Sequence, residues 1–214
     1  MEKHIEEVAK KIEVLTHSSI RICDRKIIYI DPFQVDKPYH DADLVFFTHE
    51  HFDHFSIEDI SKVRKENTKF IMPVSMKSQG SSLGNSIFME PGEEAIIEGY
   101  KVEAVPAYNA FKLFHPKQRG WVGYNIEVDG VKIYVVGDSD VTAEAKAVKT
   151  DIILVPCGGK YTMNADEASF LVNHIHPSIA IPTHYGQVAG NENSGQEFAN
   201  KVDPSIKTMV IKRY

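Results

Sequence analysis

Cysteine is nearly absent: Cys23 and Cys157 are the only two in 214 residues. Far apart and outside any Cys-x-x-Cys pair, they exclude a disulfide scaffold and a thiolate zinc site, and they suit a reducing cytoplasm. Both are expected as small buried hydrophobes. No stretch approaches the roughly 18 consecutive apolar residues of a membrane span. The segment from Met1 to Lys11 mixes Glu2, Glu6 and Glu7 with lysines and has no apolar run of signal-peptide length. An excess of positive charge is missing too. Lys and Arg total 24 against 30 Asp and Glu, a formal balance of -6 that gives no general attraction to nucleic acid or an anionic membrane. With 43% hydrophobic and 25% charged residues, the composition is that of a folded globular chain long enough to bury a core without staples.

Turn chemistry divides the first half into short β-rich runs at 12–15, 19–23, 26–30 and 42–48, which read as strands. Ser56 is placed to cap a helix over 57–66, with Asp59 in the first turn, where a carboxylate meets the positive end of the helix dipole. Strands follow at 70–72, 86–89, 94–97 and 100–105, with a helix near 75–82. The next pair, 124–128 and 131–136, flanks Asp129-Gly130, a dipeptide that tight hairpin turns favour. Beyond Asp138 helices (142–149, 165–175, 194–202) alternate with strands (152–155, 179–182, 208–211). Wholly apolar runs such as 152–155 suit strands covered on both faces. No linker and no solenoid repeat is visible. The expected fold is α+β (α/β), one domain over 1–214 with two packed sheets flanked by helices.

Histidine is what the chain does have, ten in all, and three of them fall with a carboxylate into Thr48-His49-Glu50-His51-Phe52-Asp53-His54, directly after an apolar strand. Crowded imidazoles gain little from one another unless they share a metal. On an extended loop His49 and His51 project to one side, while Asp53 and His54, at the following bend, aim at a neighbouring point; two adjacent metal sites are expected. Neutral imidazole nitrogen with carboxylate oxygen suits zinc, and manganese or iron is also accommodated. Six positions cannot complete two coordination shells. Asp138, in Gly137-Asp138-Ser139-Asp140, and His184, in Pro182-Thr183-His184-Tyr185-Gly186, stand at the ends of two further expected strands. Asp138 could bridge two cations and His184 could close the second shell.

The succession T-H-x-H-x-D-H after a strand, then G-D-S-D, then I-P-T-H-Y-G resembles the metallo-β-lactamase superfamily over essentially the whole chain. Within it, Ile30-Asp31-Pro32-Phe33, Thr16-His17-Ser18-Ser19 and Tyr161-Thr162-Met163 are similar to the branch of small stand-alone metal-dependent hydrolases that includes the ascorbate-phosphate lactonases. The resemblance implies a four-layer αββα sandwich with the metals at one edge of the two sheets. It also implies that His49 and His51 bind the first metal, that Asp53, His54 and His184 bind the second, and that Asp138 bridges them. The family usually supplies a third histidine to the first metal from a strand end in mid-chain, where Pro106-Ala107-Tyr108-Asn109 here carries Asn109. Asn109 could ligate weakly through its carbonyl oxygen. His115 is the candidate replacement, and the alternative, that it packs in a loop beside Lys112 and Lys117, stands equally open.

A cation held by imidazoles with one open position lowers the pKa of bound water from roughly 15.7 toward about 7. A metal-bound hydroxide is therefore the expected nucleophile on a small ester, lactone or phosphodiester. Asp53 is the expected catalytic residue, anchoring the second metal and orienting the attacking water. Asp31 is the expected hydrogen-bond partner of a ligating imidazole, a role compatible with an Asx-Pro turn. Lys160 and Tyr161, beside two glycines, are candidate substrate contacts, and His17 either lines the cleft or is a packed strand histidine. Lys112, Lys117 and Arg119 form a locally basic cluster that would steer an anionic substrate or serve only as a solvated face. Cys157 has no activating partner and is not expected to be a nucleophile. Two other classes remain open on this scaffold: a di-iron redox protein and a metal-poor, non-catalytic binding module. The expected partners are one or two divalent ions, zinc first, and a small-molecule substrate, with no nucleic acid.

Overall fold

The computed structural model describes residues 1–186 and 188–211. A helix, α1 (Glu2–Ala9), leads into a six-stranded sheet of β1 (Ile12–Thr16), β2 (Ser19–Cys23), β3 (Ile27–Ile30), β4 (Ala42–Phe46), β5 (Arg64–Pro73) and β6 (Ser86–Met89), ordered as in the chain. Helices α2 (Ile57–Val63) and α3 (Lys77–Ser81) belong to this half. A seven-stranded sheet follows, built from β7 (Glu94–Ile97), β8 (Tyr100–Pro106), β9 (Val122–Val128), β10 (Val131–Val135), β11 (Ile152–Pro156), β12 (Ile179–Thr183) and β13 (Lys207–Thr208), again neighbours in chain order. Its helices are α4 (Ala143–Ala147), α5 (Ala165–Ile175) and α6 (Ser194–Ala199).

Strand periodicity of two sorts each apolar run onto two faces, and three hydrophobic clusters result. Leu44, Phe46, Ile152 and Leu154 point into the cluster between the sheets. Their neighbours Val45 and Phe47 join Ile60, Val63 and Met76 under α2 and the turn before α3. Ile153 and Val155 join Ala145, Leu171 and Phe198 beneath α4, α5 and α6. Helix, sheet, sheet and helix layers are thus separated by three apolar interfaces, the four-layer αββα sandwich that the resemblance implies. Among the described residues no helix is long and apolar enough to cross a membrane.

Both sheets change from antiparallel to parallel pairing: β1 to β3 and β7 to β10 are antiparallel, whereas β3 to β6 and β10 to β13 are parallel. Parallel neighbours send their C-terminal ends to one edge, where open α/β sheets bind ligands. The loops after β3, β4, β10, β11 and β12 all leave from such ends.

Several local expectations are corrected. α1 was not foreseen in so charged a segment; Ile5, Val8 and Ala9, at helical spacing, seal the inter-sheet cluster. The helix expected over 57–66 stops at Val63, and β5 begins at Arg64, since pairing with Ala42 and the Thr68 hydroxyl bond to the Ala42 carbonyl draw the chain into the sheet. The last strand is shorter than expected and lies at Lys207–Thr208. Cys23, expected buried, is only partly so, with a guanidinium nitrogen of Arg21 donating to its sulfur at 2.9 Å. The Ser56 cap and the Asp129-Gly130 turn, both residues at positive φ, are as expected.

Candidate metal centre

Asp31 follows β3, and its carboxylate reaches across to the end of β4. It accepts the Thr48 N–H at 2.8 Å, the Thr48 hydroxyl at 2.6 Å and His54 Nδ1–H at 2.7 Å. The Thr48 hydroxyl donates its only hydrogen to Asp31, so at 2.9 Å it accepts one from His49 Nδ1. His49 therefore carries its proton on Nδ1 and turns toward the cluster an Nε2 that lies 3.1 Å from His51 Nδ1, while Asp31 holds the Nδ1–H of His54. A turn at His51, whose carbonyl accepts from the N–H groups of His54 and Phe55, separates the two halves of the motif.

Among the described residues the side chains gather in two groups, each with donor atoms within 4.8 Å of one another, His49, His51 and His115, and His17, Asp53, His54 and His184, with a third, His49, His54 and Asp138, joining them. Asp138, just past β10, lies between them. Its Oδ2 is 3.2 Å from His115 Nε2 and 3.1 Å from His184 Nε2, and its Oδ1 is 3.3 Å from His54 Nε2. Nε2 of His54, His115 and His184 and Oδ1 of Asp138 are buried without a hydrogen-bond partner. Buried polar atoms are costly when unpaired, and a cation held between these nitrogens and the carboxylate would satisfy them together. The set is imidazole and carboxylate without thiolate, so the residues fit one or two divalent ions.

The charge states agree with that fit. Burial, reinforced by neighbouring His54, drives His49 well below its ordinary pKa, and burial with His115 lowers His51, leaving both neutral at pH 7. Burial alone would raise the Asp138 carboxyl, yet His184 and His54 hold it well below the usual carboxylate range. Asp53 behaves alike: burial opposes ionisation, but the His17 hydrogen bond and His54 bring it to about 2. His54 is raised well above its usual value, the carboxylates of Asp138 and Asp31 outweighing burial. Metal ligands must be deprotonated imidazoles or carboxylates; His49, His51, Asp53 and Asp138 are already in that form, and His54 would give up a proton on binding.

His115 stands with His49 and His51, and the Asn109 side chain turns its Oδ1 to within 3.1 Å of His115 Nδ1. His17 is buried, its Nε2 3.2 Å from Asp53 Oδ2 and its ring 3.8 Å from that of His184, so it faces the carboxylate and not an open cleft. Lys160 and Tyr161 lie at the rim, the ammonium above the phenol ring, which in turn meets the Phe114 ring edge-on. The basic cluster is neutralised: Lys112 pairs with Asp140 and Glu167, Lys117 with Glu144, and Arg119 with Glu50. Sequence reasoning gave Trp121 no catalytic place. Its ring lies tilted 4.9 Å from that of His49 and edge-on 4.8 Å from that of His51, held by an indole N–H bond to Glu50. Phe111 and Leu113 are more than nine-tenths exposed, and Phe52 and Phe114 partly so, in loops adjoining the donors. Spacing alone gave no signal for this apolar rim.

A four-layer αββα sandwich with H-x-H-x-D-H at the edge of its sheets defines the metallo-β-lactamase fold class. The β-lactamase superfamily domain matches residues 11–184, and the chain belongs to that family, among the relatives named UPF0173 metal-dependent hydrolases. One such relative, from Thermococcus onnurineus, is 27% identical over 94% of this chain and 96% of its own. Another, from Thermoplasma acidophilum, is 32% identical over 79% of this chain and 80% of its own. A solved structure from Parabacteroides distasonis, assigned to the metal-dependent hydrolases, superposes with a TM-score of 0.83 at 28% identity, covering 95% of this chain and 93% of that one.

Proposed function

We propose that the protein is a cytoplasmic hydrolase of small esters, lactones or phosphodiesters, working with two divalent ions, zinc first and manganese or iron as alternatives. His49, His51 and His115 would hold one ion and Asp53, His54 and His184 the other, with Asp138 between them. The observation that carries this reading is the convergence of three unpartnered Nε2 atoms on one buried carboxylate. When bound, such ions supply Lewis acidity and water of lowered pKa.

The chain's own residues do the rest. Asp53, ionised down to about pH 2, is a permanent acceptor at neutral pH and orients the attacking water through a hydrogen bond. Asp31 keeps His49 and His54 in one tautomer and one orientation. Trp121 walls the first group from bulk solvent. At the rim, Phe52, Phe111, Leu113 and Phe114 offer an apolar surface, and Lys160 with Tyr161 a charge and a hydroxyl. With Lys112, Lys117 and Arg119 all paired, Lys160, for which no ion pair is found among the described residues, is the rim cation that would meet an anionic part of the substrate.

The test joins elemental analysis of the purified protein to a hydrolysis screen over esters, lactones and phosphodiesters, with His51→Ala beside the unaltered chain. Two zinc or manganese per chain, and activity reduced at least about 100-fold in His51→Ala, are expected. Two iron with an optical band would instead indicate the redox class, and no stoichiometric metal the binding module. Unchanged activity in His51→Ala would overturn the first site.

A further inference from the structure

We propose that Asn109 is a positioning residue that fixes the tautomer of His115, so that this chain recruits its third imidazole from position 115 and uses the asparagine to aim it. The inference rests on the reading of His49, His51 and His115 as one metal site.

Asn109 follows β8, is 7% exposed, and makes four side-chain contacts that leave its amide one orientation. Nδ2 faces two oxygens that carry no hydrogen, Asp140 Oδ1 at 3.2 Å and the Tyr161 carbonyl at 3.0 Å. Oδ1 accepts the His115 backbone N–H at 3.0 Å. An amide turned the other way would set N–H against N–H and oxygen against oxygen. Since Oδ1 can only accept, the His115 Nδ1 that lies 3.1 Å from it must carry the proton. The Nε2 lone pair is then free and stands 3.2 Å from Asp138 Oδ2, without a hydrogen-bond partner of its own.

The backbone closes the same loop, with the Asn109 N–H donating to the His115 carbonyl at 2.7 Å. Asp140 anchors the far side, its Oδ2 accepting the N–H groups of Ala110 and Phe111 at 3.0 and 3.3 Å. A chain of contacts therefore runs from Asp140 through the Asn109 amide to the His115 ring. An amide suits the middle of that chain because it accepts at one end and donates at the other. A carboxylate at 109 would face Asp140 with no proton between them, and an apolar residue would leave His115 Nδ1 and Tyr161 unpaired.

The experiment measures the tautomer directly and metal affinity separately. Nitrogen-15 NMR of histidine-labelled protein reads the His115 ring, metal-free and zinc-loaded, and zinc affinity is read by competition with a chromophoric chelator in the unaltered chain, Asn109→Leu and Asn109→Asp. Thermal unfolding of each metal-free variant reports folding. The expected results are a proton on Nδ1 in both states, and in both variants a first-site zinc affinity about 10–100-fold weaker with the second site retained. Adding Asp140→Asn to Asn109→Asp restores an acceptor facing a donor and recovers part of the loss. A proton on Nε2, or two zinc ions held at unaltered affinity in Asn109→Leu, would overturn the proposal. If the unaltered chain bound no zinc, the metal reading would fail, while the tautomer in the metal-free protein would still decide this one. The tautomer likewise decides it if Asn109→Leu fails to fold.

Discussion

Asp31 orients one imidazole in each group with a single carboxylate, reaching His54 directly and His49 through the Thr48 hydroxyl. Cys157 is the contrasting case of a reactive group placed out of reach. Burial, with Glu197 nearby, pushes its thiol up to about 12, so at pH 8 it stays protonated and enclosed. Iodoacetamide at pH 8 is expected to place one adduct on the native chain, at Cys23, and a second only after unfolding, as counted by mass spectrometry, with hydrolysis unaffected by the first. The stability linkage has a definite sign. An unfolded thiol ionises near about 8.5, so the unfolded chain loses that proton first, and stability falls as pH rises from there toward the folded value. Two adducts on the native protein would contradict the burial argument. At this scale the donors packed into 48–54 were legible because their spacing is itself the geometry. The place of His115 was not, since it depends on how the loop from Asn109 closes and on a partner, Asp140, that is distant in sequence.

At the level of elements, the site is assembled from strand ends, and the sequence disclosed this where an apolar run stopped at a polar motif. It worked for β4, β10 and β12. It failed at the α2–β5 junction, where 64–66 carry no helix-breaking residue and only pairing with β4 ends the helix. The glycine after Cys157 shows how tightly these ends meet. A Cβ on Gly158 would overlap the His184 carbonyl oxygen and crowd Ala189, so the loop leaving β11 fixes the height of the loop leaving β12. Gly158→Ala is expected to cost about 1–3 kcal/mol of stability through overpacking. Because the displaced atom belongs to the backbone of His184, zinc should weaken at the group containing His184 and not at the group containing His115. Chemical denaturation of the metal-free variant and a zinc titration check the two parts. A variant that matches the unaltered chain in both would show that the loops tolerate a shift the packing forbids.

For the molecule as a whole, the donors span residues 17 to 184 and come from both sheets, so no contiguous stretch of chain can reproduce either group in the unfolded state. The inter-sheet cluster brings the edges together, and the imidazoles then meet carboxylates with several buried lone pairs unmatched. A divalent ion binding there stabilises the native state alone and draws the folding equilibrium toward it. At a free zinc concentration about 100 times the dissociation constant, the linkage is worth about 2.7 kcal/mol. A chain of this length shifts about 2–4 °C per kcal/mol, so Tm should rise by roughly 5–10 °C and fall back when a chelator is added. His54→Ala should lose part of that rise, since its Nε2 lies 3.3 Å from Asp138 Oδ1 and its Nδ1 anchors the second group to Asp31. Differential scanning calorimetry with zinc, manganese and ferrous iron in turn measures the shift and ranks the metals. A Tm indifferent to all three would mean that the buried lone pairs are tolerated without any ion, and the metal centre would have to be abandoned.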